Sequence, residues 1–529
     1  MRGRAATVAT GGSRAAAPGL RRKKARGGTR SGNGSNGAAR PAGRARAEKP
    51  ARAASAAKRA ASPTARATNA AKPQRAARTS KVDVALLRDA AERSIRYLER
   101  RDARQVAPAL ETLARFHEPL PAGPSHPAAV LRLLDEAGSP ATMVMGGGRF
   151  FGFVIGGTLP VSLAANWLAN AWDQNTGLWV STPGTSTLEE VALRWMIELF
   201  GLPRGTGGAF VTGATVANFT ALAAARHAVL ADAGWDVEAK GLFGAPEITV
   251  VVGAEAHPTL IKSLGLLGLG RKRVVTVPAD DQGRMRADAL PPITGPAIVC
   301  AQAGNVNTGA TDPLEKIVAY ARAAKAWLHV DGAFGLWATA APTRAARVAG
   351  ITRADSWATD AHKWLNVPYD CGLAFVRDPH ALRAAMAITA EYLPTETPHR
   401  NPSDYTPELS RRARGVEVWA ALRALGKSGV AELIERTCRH ARRFAEGLAA
   451  AGYRVLNEVA LNQVLVSFGD AAANERVIAG IQSDGTCWCG GTVWQGKSAM
   501  RISVSDWTTT EDDVEKSLAA MIRIARERA

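Results

Sequence analysis

Four short segments carry residues that could do chemistry together. Thr212-Gly213-Ala214-Thr215-Val216-Ala217-Asn218 runs small residues straight into a helical pattern. Small side chains let backbone N–H groups approach an anion, and a helix start carries about half a positive charge, so this is a seat for a phosphate. A plain N-capped helix is the competing reading. The spacing is neither a Walker loop nor a dinucleotide fingerprint, so nucleotides are not indicated. Ala254-Glu255-Ala256-His257 closes a second apolar run, and a lone histidine at a helix start gains weight only from its company. Trp327-Leu328-His329-Val330-Asp331-Gly332-Ala333 puts a carboxylate at the end of an apolar strand, followed by tiny residues. Burying Asp331 costs free energy unless it meets a cation or donors, and a protonated ring nitrogen would satisfy it. A structural or helix-capping Asp is the plainer alternative. Ser356-Trp357-Ala358-Thr359-Asp360-Ala361-His362-Lys363-Trp364 ends a strand with a lysine between apolar neighbours. A desolvated lysine loses its proton readily and can form a Schiff base with a carbonyl; a surface lysine would only snorkel.

These residues need a scaffold that gathers them, and the hydrophobic pattern supplies one. Short apolar runs at 209–212, 248–252, 273–277, 297–301, 327–330, 356–359 and 372–376 read as strands, with helical segments at 215–231, 257–266 and 313–326 between them. Buried apolar strands alternating with helices predict an α/β fold with a mostly parallel, seven-stranded sheet covered on both faces. In such sheets ligands gather at the carboxyl ends of the strands, which is where all four segments lie. A helix over about 429–450, strands near Val455 and Val464, a helix near Val477, a strand at 500–504 and a helix from Glu511 make a smaller C-terminal α/β domain. Residues 81–134 are helical in pattern, with Val84, Leu87, Ala91, Ile95 and Leu98 three or four apart, broken by prolines at 119, 121, 124 and 127. The expected division is a tail over 1–80, a helical segment over 81–150, a large domain over 151–395 and a small one over 396–529.

The chain has 529 residues, 46% hydrophobic and 22% charged, enough for a substantial core. Its net charge of +20 suggests a nucleic-acid binder until the charge is located. Residues 1–80 hold 20 Lys+Arg and a single acid, Glu48, which leaves 47 Lys+Arg against 46 Asp+Glu in the rest. The basicity belongs to the tail. Built from Ala, Arg, Gly, Ser and Pro without an aromatic residue, the tail reads as disordered. Contact with a nucleic acid or an anionic surface, an Arg-rich transit peptide and a merely biased extension are its three readings. Five scattered cysteines fit a reducing cytosol, and Cys487-Trp488-Cys489 lacks the further ligands a zinc site needs, so no metal is expected. Phe150 to Trp172 carries Asp, Glu, Lys and Arg nowhere, but Gly156, Gly157, Pro160, Asn166 and Asn170 interrupt it, so it reads as loop and helix beside a pocket rather than a membrane span. No apolar stretch follows the Arg21-Arg22-Lys23-Lys24 cluster, which points to a cytoplasmic protein.

The order and spacing of the four segments, over about 150 residues, resemble the pyridoxal-phosphate-dependent group II amino acid decarboxylases, whose members act on aromatic amino acids, glutamate, histidine and diaminobutyrate. Phe150-Phe151-Gly152-Phe153, Trp172-Asp173-Gln174-Asn175, Thr182-Pro183 and Arg411-Arg412-Ala413-Arg414 are similar to further segments of that family. The resemblance runs from about residue 85 to the C-terminus and implies the aspartate-aminotransferase-like fold, known as fold type I. It also implies pyridoxal 5'-phosphate as cofactor and a homodimer with shared active sites. Lys363 would carry the cofactor as an internal aldimine, Asp331 would keep its ring nitrogen protonated, His257 would stack on the ring, and Ala333 would leave room beneath it. Gly213, Ala214 and Thr215, with His362, would fix the phosphate. Arg501 would meet the substrate carboxylate, and Thr182 and Pro183 would serve the neighbouring subunit's site.

The sequence departs from the family where many members carry a mobile-loop tyrosine that returns a proton after CO2 leaves. Counting back from Arg411 puts Pro402 there, with Tyr405 three positions on. Tyr405 is the expected proton donor, with His257 or Lys363 as substitutes. The expected reaction is decarboxylation of an L-amino acid to its amine. Aldehyde synthesis coupled to decarboxylation, retro-aldol cleavage, transamination, and nucleic-acid binding through the tail on an inactive scaffold are the rivals.

Overall fold

The computed structural model describes residues 82–388 and 398–529. The basic tail and the expected boundary at residue 395 lie outside them. Seven strands, β1 (Gly207–Val211), β2 (Thr249–Gly253), β3 (Val275–Val277), β4 (Ala297–Gln302), β5 (Trp327–Asp331), β6 (Ser356–Asp360) and β7 (Gly372–Val376), form one sheet in the order β1-β7-β6-β5-β4-β2-β3. From β3 to β6 every neighbouring pair is parallel, and β7 runs antiparallel to both β6 and β1. All residues of β4, β6 and β7 are buried, which is why those stretches read as unbroken apolar runs rather than alternating ones. Alternation does sort β5. Leu328 and Val330 face the main core with Val299, Ala301 and Phe334, while Trp327, His329 and Asp331 face the helix Ala214–Ala231.

That helix is rich in alanine, so it lies close on the sheet. The closest approach is at Gly372, where a Cβ would come within 2.4 Å of the Gly213 Cα; only glycine lets β7 pass the β1-to-helix turn. The second sheet is fully antiparallel, in the order β10 (Gly490–Trp494), β11 (Lys497–Ser503), β9 (Gln463–Ser467), β8 (Arg454–Val455). Its core joins Val464, Val466, Met500 and Ile502 to Phe444, Val477 and Met521 of three helices, and takes in Cys487 and Cys489.

Two expectations change. The helix expected from Gly429 is preceded by another that starts at Gly415, and the two meet at Gly426, whose φ of 60° and ψ of −176° are non-helical and kink the chain. As expected, Phe150 to Trp172 resolves into a loop and the helix Pro160–Trp172, and no helix among the described residues is long and apolar enough to cross a membrane. The N-terminal helix is Val84–Arg100 alone, followed by short turns of helix. Its apolar stripe meets no core: Val84, Leu87, Ile95 and Leu98 are 39–59% exposed.

Candidate active site

Lys363 stands on a single helical turn, Ala361–Trp364, at the carboxyl end of β6. Its Nζ lies 2.8 Å from Asp360 Oδ2, and Asp360 is buried. The carbonyl of Lys363 presses on Gly156, where a Cβ would sit inside contact distance at 1.8 Å, so the glycine loop holds this turn from outside. Asn366 holds it from behind. With φ at 56°, it accepts from the Gly157 and Trp507 amides and donates to the Trp364 and Ser505 carbonyls, at 2.7–3.0 Å. His362 accepts at Nδ1 from the Cys371 amide (3.1 Å), which leaves its proton on Nε2, 3.7 Å from Asp360 Oδ2. Burial keeps His362 below its ordinary pKa.

Gly213 brings the seat expected for an anion to this cluster: a Cβ there would lie 3.4 Å from His362 Cε1 and 3.6 Å from Asp360 Oδ1. Ala217 makes the first bond of the helix Ala214–Ala231, to the Gly213 carbonyl at 2.8 Å. The amides of Ala214, Thr215 and Val216 therefore have no acceptor within the helix, the arrangement that receives anions. The Thr215 carbonyl accepts from Ser263 of the helix Pro258–Leu266, whose N-cap is His257.

His257 takes the Thr259 amide at Nδ1 (3.3 Å), so Nε2 bears its proton. Burial pulls its pKa down, the Asp331 carboxylate pulls it back up, and Lys363 and Arg501 push it down again. These groups thus share one electrostatic environment. Asp331 is 3% exposed and makes no ion pair among the described residues. Its Oδ2 accepts from Asn218 (3.1 Å) and its Oδ1 from the Ala333 amide (3.2 Å). Burial raises its pKa, opposed by His257 and Lys363. Arg501 donates to the carbonyls of Val306 (3.1 Å) and Phe153 (3.3 Å) but to no carboxylate, and burial lowers its pKa to about 10. Beside it, Trp488 is stacked between Phe150 and Phe153, with centroids 5.1 and 5.6 Å apart.

Gly213, Ala214, Thr215, His257, Asp331, Ala333, His362, Lys363 and Arg501 therefore converge. Three expected site residues do not join them within one chain. Thr182 and Pro183 open the helix Pro183–Leu199, where the Thr182 hydroxyl bonds the Leu178 carbonyl and Ser186. Tyr405 packs beside Gly207, Gly208 and Pro379, at the end of β1 opposite Val211, which through Gly372 is in register with Asp360. Four strand residues put that end about 13 Å from the Lys363 end. Anchors on both sides hold Tyr405 there: Arg400 lies over its ring at 4.2 Å while donating to Gly208 and Glu189, and the buried Arg411 donates to Phe210 and Glu189. A proton donor expected at Tyr405 is thus out of reach of Lys363 in its own chain. Asn218, Asp360 and Asn366, in contrast, were not singled out in the sequence. Asn218 is the one with a readable signal, one helical turn beyond Ala214 on the inward face.

The chemistry of these groups suits pyridoxal phosphate. Asp331 is buried and lacks a cation, and three amides lack acceptors beside a lysine. A phosphate, a protonated ring nitrogen and an aldehyde answer these demands.

Residues 142–469 match the sequence model of the pyridoxal-dependent decarboxylase conserved domain. Among curated proteins, the chain is 30% identical over 386 residues to an L-2,4-diaminobutyrate decarboxylase of Rhizobium meliloti (strain 1021), covering 69% of this chain and 75% of the relative. It is 26% identical over 439 residues to an aromatic-L-amino-acid decarboxylase of Bacillus atrophaeus, covering 78% and 89%. It is 25% identical to a phenylacetaldehyde synthase of Arabidopsis thaliana, covering 76% and 87%. The fold matches that of Oryza sativa TDC with PLP and tryptamine at a TM-score of 0.77, with 22% identity, covering 84% of this chain and 97% of the other.

Proposed function

Because this chain belongs to the pyridoxal-dependent decarboxylase family, we propose that it removes the α-carboxylate of an L-amino acid as CO2 and releases the amine, with Lys363 as the attachment point for its pyridoxal phosphate. The observation that carries this reading is the convergence of Lys363, the buried Asp331, the unsatisfied amides at Ala214 to Val216 and an arginine, Arg501, that has no carboxylate partner. When bound, the cofactor withdraws electrons from Cα, so that the bond to the carboxylate can break and leave its electron pair behind.

The chain's own groups decide the outcome. Arg501 offers a fixed guanidinium to the substrate carboxylate, and orienting that group selects which Cα bond breaks. Phe150, Trp488 and Phe153 beside Arg501 favour an apolar or aromatic side chain. After CO2 leaves, Cα needs a proton, and His257 Nε2–H or Lys363 Nζ is the candidate donor within the chain, whereas Tyr405 of the same chain is not. A panel of L-amino acids assayed for CO2 and amine tests the reading: aromatic members should react fastest. His257→Gln should lower the rate about 100- to 1,000-fold, and Tyr405→Phe should leave rate and product unchanged. Loss of amine in favour of aldehyde on Tyr405→Phe would restore that residue to the mechanism.

The distance of Tyr405 favours one second reading. Without a fast proton return, dioxygen can take the electrons, giving aldehyde, ammonia and hydrogen peroxide along with CO2 and consuming one water. Peroxide formed in step with CO2 distinguishes this outcome from amine release.

The exposed stripe of the helix Val84–Arg100, and separately the exposed Trp167, Leu168 and Trp172 (40–54%), support a homodimer in which such apolar surface meets a second copy. Leu87→Glu with Ile95→Glu should shift the protein from dimer to monomer in light scattering. A dimer of unaltered affinity would contradict that assignment.

A further inference from the structure

Behind Asp331 lies a chain of four hydrogen bonds, three of them wholly buried, that reaches away from the candidate site. Trp327 Nε1 donates to Ser356 Oγ at 2.8 Å; Ser356 Oγ and His329 Nδ1 are 2.9 Å apart; His329 Nε2 and Asn218 Oδ1 are 2.8 Å apart; and Asn218 Nδ2 donates to Asp331 Oδ2 at 3.1 Å. Ser356, His329 and Asn218 are wholly buried. The alternation of β5 builds the array, since Trp327, His329 and Asp331 are two apart on one face, Ser356 pairs with His329 on β6, and the helix Ala214–Ala231 brings Asn218 across them.

We propose that Trp327, Ser356, His329 and Asn218 are positioning residues that hold Asp331 as an oriented carboxylate for the ring nitrogen of the cofactor, a role that rests on the reading of the site given above. The direction of every bond follows from chemistry. An indole N–H can only donate, so Ser356 accepts from Trp327; at the other end a carboxylate can only accept, so Asn218 donates to Asp331 with Nδ2 and offers Oδ1 to His329, and the neutral ring then takes the Ser356 hydrogen at Nδ1. That fixes the His329 proton on Nε2, where it is donated to the Asn218 carbonyl oxygen. All four hydrogens point the same way, and the chain ends on an acceptor. Burial holds His329 neutral, with its pKa down near 3, so the array acts as a line of fixed dipoles rather than a path for a proton. The same burial pushes Asp331 toward its neutral form, which the Asn218 amide opposes. An apolar set of the same volume would fill this space without the risk of orphaned polar groups. A task at Asp331 accounts for the polar choice.

Reconstitution with pyridoxal phosphate enriched in 15N at the ring tests this, because the nitrogen shift in NMR reports whether it carries a proton. The unaltered protein should show a protonated nitrogen. Asn218→Leu should move the shift toward the unprotonated form, weaken cofactor binding, and lower kcat about 10- to 100-fold, the scale on which outer partners of a reactive group act, with KM changed less than about twofold. Ser356→Ala should move all of these in the same direction by less, and Ser356→Thr, which keeps the hydroxyl, should restore them. If Asn218→Leu does not fold, the Ser356 pair decides. Folded variants that keep the protonated shift and the original kcat, with only their thermal stability changed, would overturn the relay while leaving Asp331 its role. An unprotonated nitrogen in the unaltered protein would overturn both.

Discussion

Lys363→Ala should abolish the visible absorbance of the purified protein and lower CO2 release by at least about four orders of magnitude, the upper range for loss of a residue that moves protons and more than that for one that also attaches the cofactor. The loss should be one of attachment, not of the site. The amides at Ala214 to Val216, His362 and Asp331 are independent of the Lys363 side chain, so pyridoxal phosphate should still bind, more weakly and without covalent linkage to the protein. Lys363→Arg should do no better. A guanidinium stays protonated at any working pH and cannot attack a carbonyl, although it would preserve the contact with Asp360. Absorbance and turnover that survive both substitutions would remove Lys363 from the mechanism.

Asp331→Asn should lower kcat by about 1,000-fold or more with cofactor still bound, because the amide cannot hold a proton on the ring nitrogen. It should act in the opposite direction on stability. The pKa of Asp331 is higher in the folded state, so its carboxyl stabilises the cofactor-free protein fully only below the unfolded value of about 3.8, and that contribution is lost as pH rises through the folded value. At neutral pH the carboxylate is therefore a strain on the cofactor-free fold. Asp331→Asn should melt higher than the unaltered protein when both lack cofactor at pH 7, with the difference shrinking toward pH 4. A variant that melts lower across that range would contradict the account of Asp331 as a carboxylate kept for function against its burial.

Much of this was legible along the chain because the main sheet is buried on both faces. Apolar runs such as Ala297–Gln302 and Gly372–Val376 mark their strands without competition from other patterns, and the chemistry-bearing residues sit at their carboxyl ends. The less legible elements follow other rules. β10 begins with two glycines and alternates exposed and partly buried residues, so it lacks the composition of a buried strand. Gly415–Ala450 contains three glycines in its first half, and the non-helical Gly426 kinks it, so the segment before Gly426 does not read as part of one continuous helix. In the site, single residues at strand ends could be picked out, but partners far apart in sequence could not. Asn218 meets Asp331 across 113 residues, and Asn366 meets Ser505 across 139. The distance of Tyr405 from Lys363 within the chain was hidden for the same reason. Its position is set by Arg400 on Gly208 and Arg411 on Phe210, each about 200 residues away, and counting along the chain carries no information about either.

Carboxyl-labelled L-amino acids supply the most direct test of decarboxylation at Lys363. The full chain, saturated with pyridoxal phosphate, should release one labelled CO2 for each substrate consumed, with Lys363→Ala releasing none above background. Substrate consumed with its label retained in a keto acid, or no label released from any amino acid tried, would contradict the assignment.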